Sequence, residues 1–396
     1  MFAKIFETLN YAPDVYNNTH RFIEGCDWMV YLMTGLDKRN SCVAGYKAFW
    51  SKEDGYPSES YFAAVDPRLK KVVEEKIGFD VCPVGEKAGE LSVEMAQKTG
   101  LIAGTAVGVG NTDAHLAVPA VGITQPGDMV LIMGTSLCHM IVDDKEIKLD
   151  GICGVVEDGI LPGYFGYEAG QAAAGDIYDW FVSNLAPYEY VSESLERDVT
   201  LFNYMDEKAR KILPGQSGLI ALDWWNGNRS LLVDSDLSGL IVGLTLQTKP
   251  EEIYRAIIEA TAFGTRLIIE NFVNNGIQIN NIFACGGLSR KSKTVMQIFS
   301  DVIGMEIKIS SSHQTSALGA AMYGSVAASK SRGGYDSILE AAKAMSNINP
   351  HSFKPDKRHY HIYSQLFSEY KKLHNLFGRN GNDTMKVLRN IKAEVS

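Results

Sequence analysis

Met129-Val130-Leu131-Ile132-Met133-Gly134-Thr135-Ser136-Leu137-Cys138-His139-Met140-Ile141-Val142 decides the fold class. Two apolar runs of strand length, Met129 to Met133 and His139 to Val142, flank a tip of glycine, threonine and serine, which predicts a hairpin. Downstream, helices join the strands. From Pro250 to Asn275 the residues Ile253, Ala256, Ile257, Ala260, Leu267, Ile268 and Phe272 recur at helical spacing over about seven turns. Thr248-Lys249-Pro250-Glu251 has the capping-box form before this run, and Gly276 follows it as a stop. Asn281 to Cys285 then reads as a strand, Gly286-Gly287 as a turn, Ser289 to Ile303 as a helix and Met305 to Ile309 as a strand. The small-residue run Ala317 to Met322 predicts a helix that lets a sheet approach closely. The class is α/β.

Upstream, Pro13 to Thr34 predicts one helix stopped by Gly35, and Ala106 to Gly110 a strand that runs into Asn111-Thr112-Asp113. The turn-rich join Gln125-Pro126-Gly127-Asp128 sets the expected boundary, with one domain over 1–124 and a second over 125–396. A chain of 396 residues has room for two domains, and 45% apolar against 21% charged residues rules out the disordered and low-complexity classes. The six cysteines lie far apart with no C-x-x-C pair, so neither a disulfide scaffold nor a cysteine-built zinc site is expected. No 18-residue apolar run or signal-peptide pattern occurs; the expectation is a cytoplasmic protein with no membrane partner. A net charge of −9 argues against nucleic acid. Nine basic and four acidic residues from His351 onward predict a solvated helical face, with Leu366, Phe367, Leu373 and Leu376 turned inward.

A strand, a Gly-Gly turn and a helix in succession aim backbone N–H groups at a phosphate or nucleoside, although glycines after a strand also serve as plain turn formers. Gly134-Thr135-Ser136 is a second phosphate candidate, since it combines N–H and O–H donors. Asp113, just past a strand, suits a catalytic base or a helix cap. Glu168 in Gly166-Tyr167-Glu168-Ala169-Gly170-Gln171 and Lys47 in Ala44-Gly45-Tyr46-Lys47 suit either sugar hydroxyls or surface salt bridges. His115 and His139 lack partners at metal-ligand spacing and read as structural or supporting residues. Asp223-Trp224-Trp225-Asn226-Gly227-Asn228-Arg229 reads as a buried tryptophan pair with a turn.

Taken together, residues 106–118, 133–140, 166–171, 221–230 and 285–292 resemble the L-ribulokinases of the FGGY carbohydrate kinase family along almost the whole chain. That resemblance implies the actin-like ATPase (ribonuclease H-like) two-domain sugar kinase fold. It also implies ATP-dependent phosphorylation of L-ribulose to L-ribulose 5-phosphate, a step of L-arabinose catabolism, with Mg²⁺. By the same resemblance Asp113 is the catalytic base, and Lys47, Asp113 and Glu168 hold the sugar. Gly134, Thr135 and Ser136 are then the second phosphate loop, while Gly286, Gly287 and Ser292 lie on the adenosine side; no metal-binding residue is assigned. Two departures stand out. The family opens with a β-hairpin carrying the first phosphate loop and an Asp-x-Gly aspartate, yet this chain has no Asp-x-Gly triplet. Its Met1 aligns well inside the family's first domain. The expectation is an incomplete first domain and impaired activity for the chain alone, completed by a homodimer or by a separately encoded N-terminal half. Ser292 stands where relatives place asparagine. A non-catalytic nucleotide- or sugar-binding remnant, or a kinase for another pentulose or a polyol, are the alternatives.

Overall fold

A computed structural model describes residues 1–395. Its first 124 residues form α1 (Phe2–Tyr11), α2 (Pro13–Asn18), α3 (Gly25–Thr34), α4 (Ser41–Ala48) and α5 (Asp113–Ala120), with several shorter turns of helix. The single helix expected over Pro13 to Thr34 is two helices. Lys76 donates its ammonium to the carbonyls of Tyr16 and Thr19 and ends α2, and Thr19 is already extended. Gly35 does stop α3, in the left-handed conformation that suits glycine. The strand expected over Ala106 to Gly110 is shorter, Ala106–Gly108, and pairs antiparallel with Lys87–Glu90.

The second part carries a seven-stranded mixed sheet: β1 (Asp128–Met133), β2 (Leu137–Asp143), β3 (Gly154–Glu157), β4 (Phe165–Gln171), β5 (Asn281–Cys285), β6 (Ile307–Ser310) and β7 (Ile348–Phe353). Across the sheet the order is β7-β6-β5-β1-β2-β4-β3. β1 and β2 form the expected hairpin, and β5 runs parallel to both β1 and β6.

Side chains alternate between the two faces, as the pleat requires. Met129, Leu131 and Met133 enter one core with α6 (Gly175–Leu185), α7 (Pro250–Asn274), α8 (Gly287–Lys291) and α9 (Lys293–Ile303). The expected helix Ser289 to Ile303 is thus two, parted at Ser292. α7 forms as expected, and its cap is the Lys249 N–H donating to Glu252 at 2.7 Å, one residue along from the box read in the sequence. On the opposite face Val130, Met140 and Phe283 meet Ala117 and Val118 of α5, Cys42 of α4, and Met322 and Tyr323 of α10 (Thr315–Ala328). Residues from both sides of the 124/125 join therefore build the core that fixes α5. The small residues of α10 admit α5, since a Cβ on Gly319 would lie 1.8 Å from the Leu116 carbonyl, and the strand Ala106–Gly108 also approaches α10, with Gly108 against Tyr323 and Ala327. In the last long helix, α11 (Lys357–Gly378), Phe367 is buried and Leu366 and Leu373 pack against the core, but Leu376 is 43% exposed. Among the described residues no helix is long and apolar enough to cross a membrane.

Candidate active site

Glu168 lies in β4 opposite Met140 of β2 and Gly154 of β3, so its side chain leaves the sheet on the α5 face. Both of its oxygens are claimed. Oε2 is 3.2 Å from Nε2 of His115, and Oε1 is gripped by Nη2 of Arg229. The His115 contact lacks hydrogen-bond alignment and acts as an ion pair. On its other side His115 bonds Thr112 Oγ1 through Nδ1, and its ring stacks on Tyr46 at 4.8 Å between centroids. Tyr46 is itself fixed by donating to the Gly166 carbonyl at 2.6 Å.

Burial opposes the charge on both His115 and Glu168, and their partners outweigh it. Against that burial, His115 and Arg229 hold the Glu168 carboxyl below its ordinary value. Cys42 and Glu168 push His115 up to about 9. A nearly buried carboxylate held between two cations is a fixed acceptor with no proton to give at neutral pH.

Asp113 is exposed as the first residue of α5 and its Oδ1 accepts the Ala114 N–H at 2.8 Å; the helix begins one residue earlier than a capping aspartate would require, with Thr112 at the N-cap. The Asp113 charge bears on the Cys138 thiol, which also feels Glu168 and touches Arg229 Nη1 at 3.6 Å. Asp113 thus stands two residues before the histidine that meets Glu168, and its charge reaches the same thiol as that of Glu168 and Arg229. Lys47 sits beside Tyr46 on α4, but its ammonium pairs with Glu24 at 3.1 Å and is half exposed, so the structure does not join it to Glu168.

The two glycine turns meet at the end of the sheet. Gly286 has φ +97°, and a Cβ there would lie 2.4 Å from the Met133 carbonyl, immediately before Gly134. Only glycine fits this contact. In the hairpin tip the Gly134 N–H donates to the Ser136 carbonyl at 3.0 Å, while the Gly134 and Thr135 carbonyls accept from Gly175 and Ala174 at the start of α6. Those two carbonyl dipoles are tied back, away from any anion. Gly134, Thr135, Asp176, Phe202, Gly287 and Lys291 line a cleft of about 820 Å³, large enough for a nucleotide. Ser292, expected on the adenosine side, is fully buried instead. Its hydroxyl donates to Asp206 and accepts from the Val295 N–H at 2.9 Å, so it caps α9 and does not face the cleft.

Comparison with known proteins places this arrangement. Residues 129–328 match the FGGY family of carbohydrate kinases, C-terminal domain. Ribulokinase of Anoxybacillus flavithermus is 55% identical over 393 residues, covering 99% of this chain and 70% of that protein. The chain belongs to the FGGY family of carbohydrate kinases. Within it the similarity is to ribulokinases, including that of Staphylococcus aureus at 40% identity over 394 residues, 100% of this chain and 71% of that protein. Xylulose kinase of Rhodospirillum rubrum superposes with a TM-score of 0.79 at 23% identity, covering 95% of this chain and 71% of that one. That likeness shows the fold, a mixed α/β sugar kinase fold. The chain spans about 70% of its ribulokinase relatives' length. Being of this family, it is a carbohydrate kinase, an enzyme class that uses ATP.

Two kinase-site features escape a reading of the sequence. Arg229 lies in the tryptophan loop, where the tryptophans draw attention; of the expected buried pair Trp224 is buried and Trp225 only partly so, and it is Arg229 that reaches Glu168. Phe202 of the cleft stands in the helix Leu201–Arg210 with no local signal, and Lys291 ends the short α8 after the glycine turn, where the glycines draw attention instead.

Proposed function

We propose that this kinase acts on L-ribulose and that Asp113 is its base. The terminal sugar hydroxyl attacks the γ-phosphorus of ATP; an O–P bond forms while the bond to the β,γ-bridging oxygen breaks, and that electron pair leaves with ADP. The hydroxyl proton passes to the Asp113 carboxylate. Glu168, already clamped, accepts from the sugar's other hydroxyls, and Lys47 would have to leave Glu24 to reach them. The hydroxyls of Thr135 and Ser136 bind the moving phosphoryl group, while Gly286 and Gly287 form the adenosine-side turn. Mg²⁺ bound with the nucleotide would supply charge neutralisation, and no side chain of this chain is assigned to hold it. The boundary at 124/125 then divides the sugar site, with Lys47 and Asp113 on one side and Glu168 with the nucleotide-facing residues on the other, and the cytoplasm is the compartment that supplies both substrates.

The observation that supports this reading is the position of Asp113, an exposed carboxylate at the start of the helix whose His115 meets Glu168, which is locked by two cations. Every wall of the 820 Å³ cleft comes from residues 134–291. Because phosphoryl transfer depends on donors placed all around the phosphate, we expect the 396-residue polypeptide assayed alone to be slow. A second copy or a separately supplied N-terminal segment would complete the cleft. An ADP-release assay with L-ribulose, D-ribulose and D-xylulose, run with and without such a segment from a ribulokinase, tests the reading. Preference for D-xylulose overturns the substrate, and full turnover by the chain alone overturns the expected impairment.

A further inference from the structure

The imidazole of His115 is fully sequestered, yet three contacts fix it from three elements: Tyr46 of α4 on its face, Thr112 at Nδ1, and Glu168 of β4 at Nε2. Sequence reads it only as a structural or supporting residue and names no partner for it. We infer that His115 is a positioning residue of the sugar site, an imidazolium that holds one oxygen of Glu168 while Arg229 holds the other, and that ties this carboxylate to the N-terminus of the Asp113 helix.

The geometry has three consequences, and they rest on the proposed sugar reading. With both inner edges of Glu168 occupied, the carboxylate can only accept, and only through its outer lone pairs, which fixes where a hydroxyl donor can sit. Thr112 precedes Asp113, so the imidazole bonded to it also orients the first turn of α5 relative to β4. The placement of the proton acceptor and that of the sugar-holding carboxylate are thereby linked through one ring. Neutral His115 offers Glu168 no charge, so the link weakens when His115 loses its proton.

The other titratable groups facing this ring and its partner are Cys42 and Tyr46 on α4, Cys138 on β2, Cys153 beside β3, and Arg229. Burial pushes the Tyr46 hydroxyl well above its ordinary value and raises the thiols of Cys138 and Cys153, while Arg229 stays charged. His115 is the group that Cys42 and Glu168 push up to about 9, and its own ring signals report that loss of charge directly.

Two measurements on the full chain test the inference. In the first, the histidine ring signals are followed by NMR against pH, with His115 assigned by its loss in His115→Phe. His115 should titrate near pH 9, and more than one pH unit lower in Glu168→Gln. Titration below pH 7, or no change in Glu168→Gln, overturns the inference whatever the ligand. The second is calorimetric binding of L-ribulose from pH 7 to 10. Affinity should fall roughly tenfold through pH 9 in the parent chain; in His115→Phe, with folding verified by circular dichroism, it should be roughly tenfold weaker and flat. If the parent binds but both profiles match, His115 is merely structural. If the parent binds no L-ribulose, the sugar reading fails, and the NMR titration alone decides whether the clamp exists.

Discussion

His115 and Glu168 meet 3.2 Å apart, Nε2 to Oε2, although 53 positions separate them and one lies on a helix of the first segment while the other lies inside the seven-stranded sheet. This buried pair, completed by Arg229, is the point where the two segments become one site.

Stability should peak near pH 6.5. Burial depresses His139 to about 3 and His374 to about 4, so between pH 6.5 and those values the unfolded chain binds more protons and stability falls with falling pH. His115 is the opposite case: its contribution is complete below pH 6.5 and is lost as pH rises through about 9. A shift of that size is worth on the order of 3 kcal/mol. Melting temperature against pH checks this, and His115→Phe should flatten only the alkaline limb. An unchanged alkaline limb would count against a charged His115.

Gly319→Ala should be disproportionately harmful for one methyl group. Its Cβ would collide with the Leu116 carbonyl, forcing α10 and α5 apart and moving Asp113 with α5. Overpacking of this kind costs about 1–3 kcal/mol. Thermal denaturation should show that loss, together with a fall in kcat when activity is reconstituted. A neutral variant would mean that α5 is not held by this contact.

Thr135→Val keeps the shape of the hairpin tip and removes one hydroxyl from the cleft. If that hydroxyl meets a phosphate, ATP affinity should fall by about one to two decades, the worth of a charge-assisted hydrogen bond. Calorimetry with ATP and with adenosine separates the cases: adenosine binding should be unaffected. Equal losses for both ligands would remove the phosphate role.

The α3 helix leaves Trp28 49%, Met29 44%, Tyr31 44% and Leu32 39% exposed, a contiguous apolar strip. Such a strip favours association. Light scattering should show concentration-dependent self-association that Trp28→Lys with Leu32→Glu reduces. A monomer at every concentration would leave the strip without an interaction role.

Much of the second segment was legible because its signals are local. The hairpin at Gly134 to Ser136, the long helix after Lys249 and the strand before Gly286 each follow from alternation, periodicity and stop residues, and the structure has all three. The breaks at Asn18 and Ser292 were not legible. Each depends on a distant partner, Lys76 in one case and Asp206 in the other, which helix periodicity cannot reveal. The site divides in the same way. Asp113, Glu168 and the glycines sit in recognisable surroundings, whereas the roles of His115 and Arg229 arise only when β4 brings Glu168 between them.

In the proposed reaction Glu168 holds the sugar while Asp113 takes its proton. Calorimetric titration of L-ribulose into the parent chain, Glu168→Gln and Asp113→Asn tests it most directly, with an ADP-release assay on the reconstituted proteins alongside. The parent should bind, Asp113→Asn should bind within about tenfold but turn over slower by about 10² or more, and Glu168→Gln should show no measurable binding. Equal binding by all three proteins, or unchanged turnover in Asp113→Asn, would contradict it.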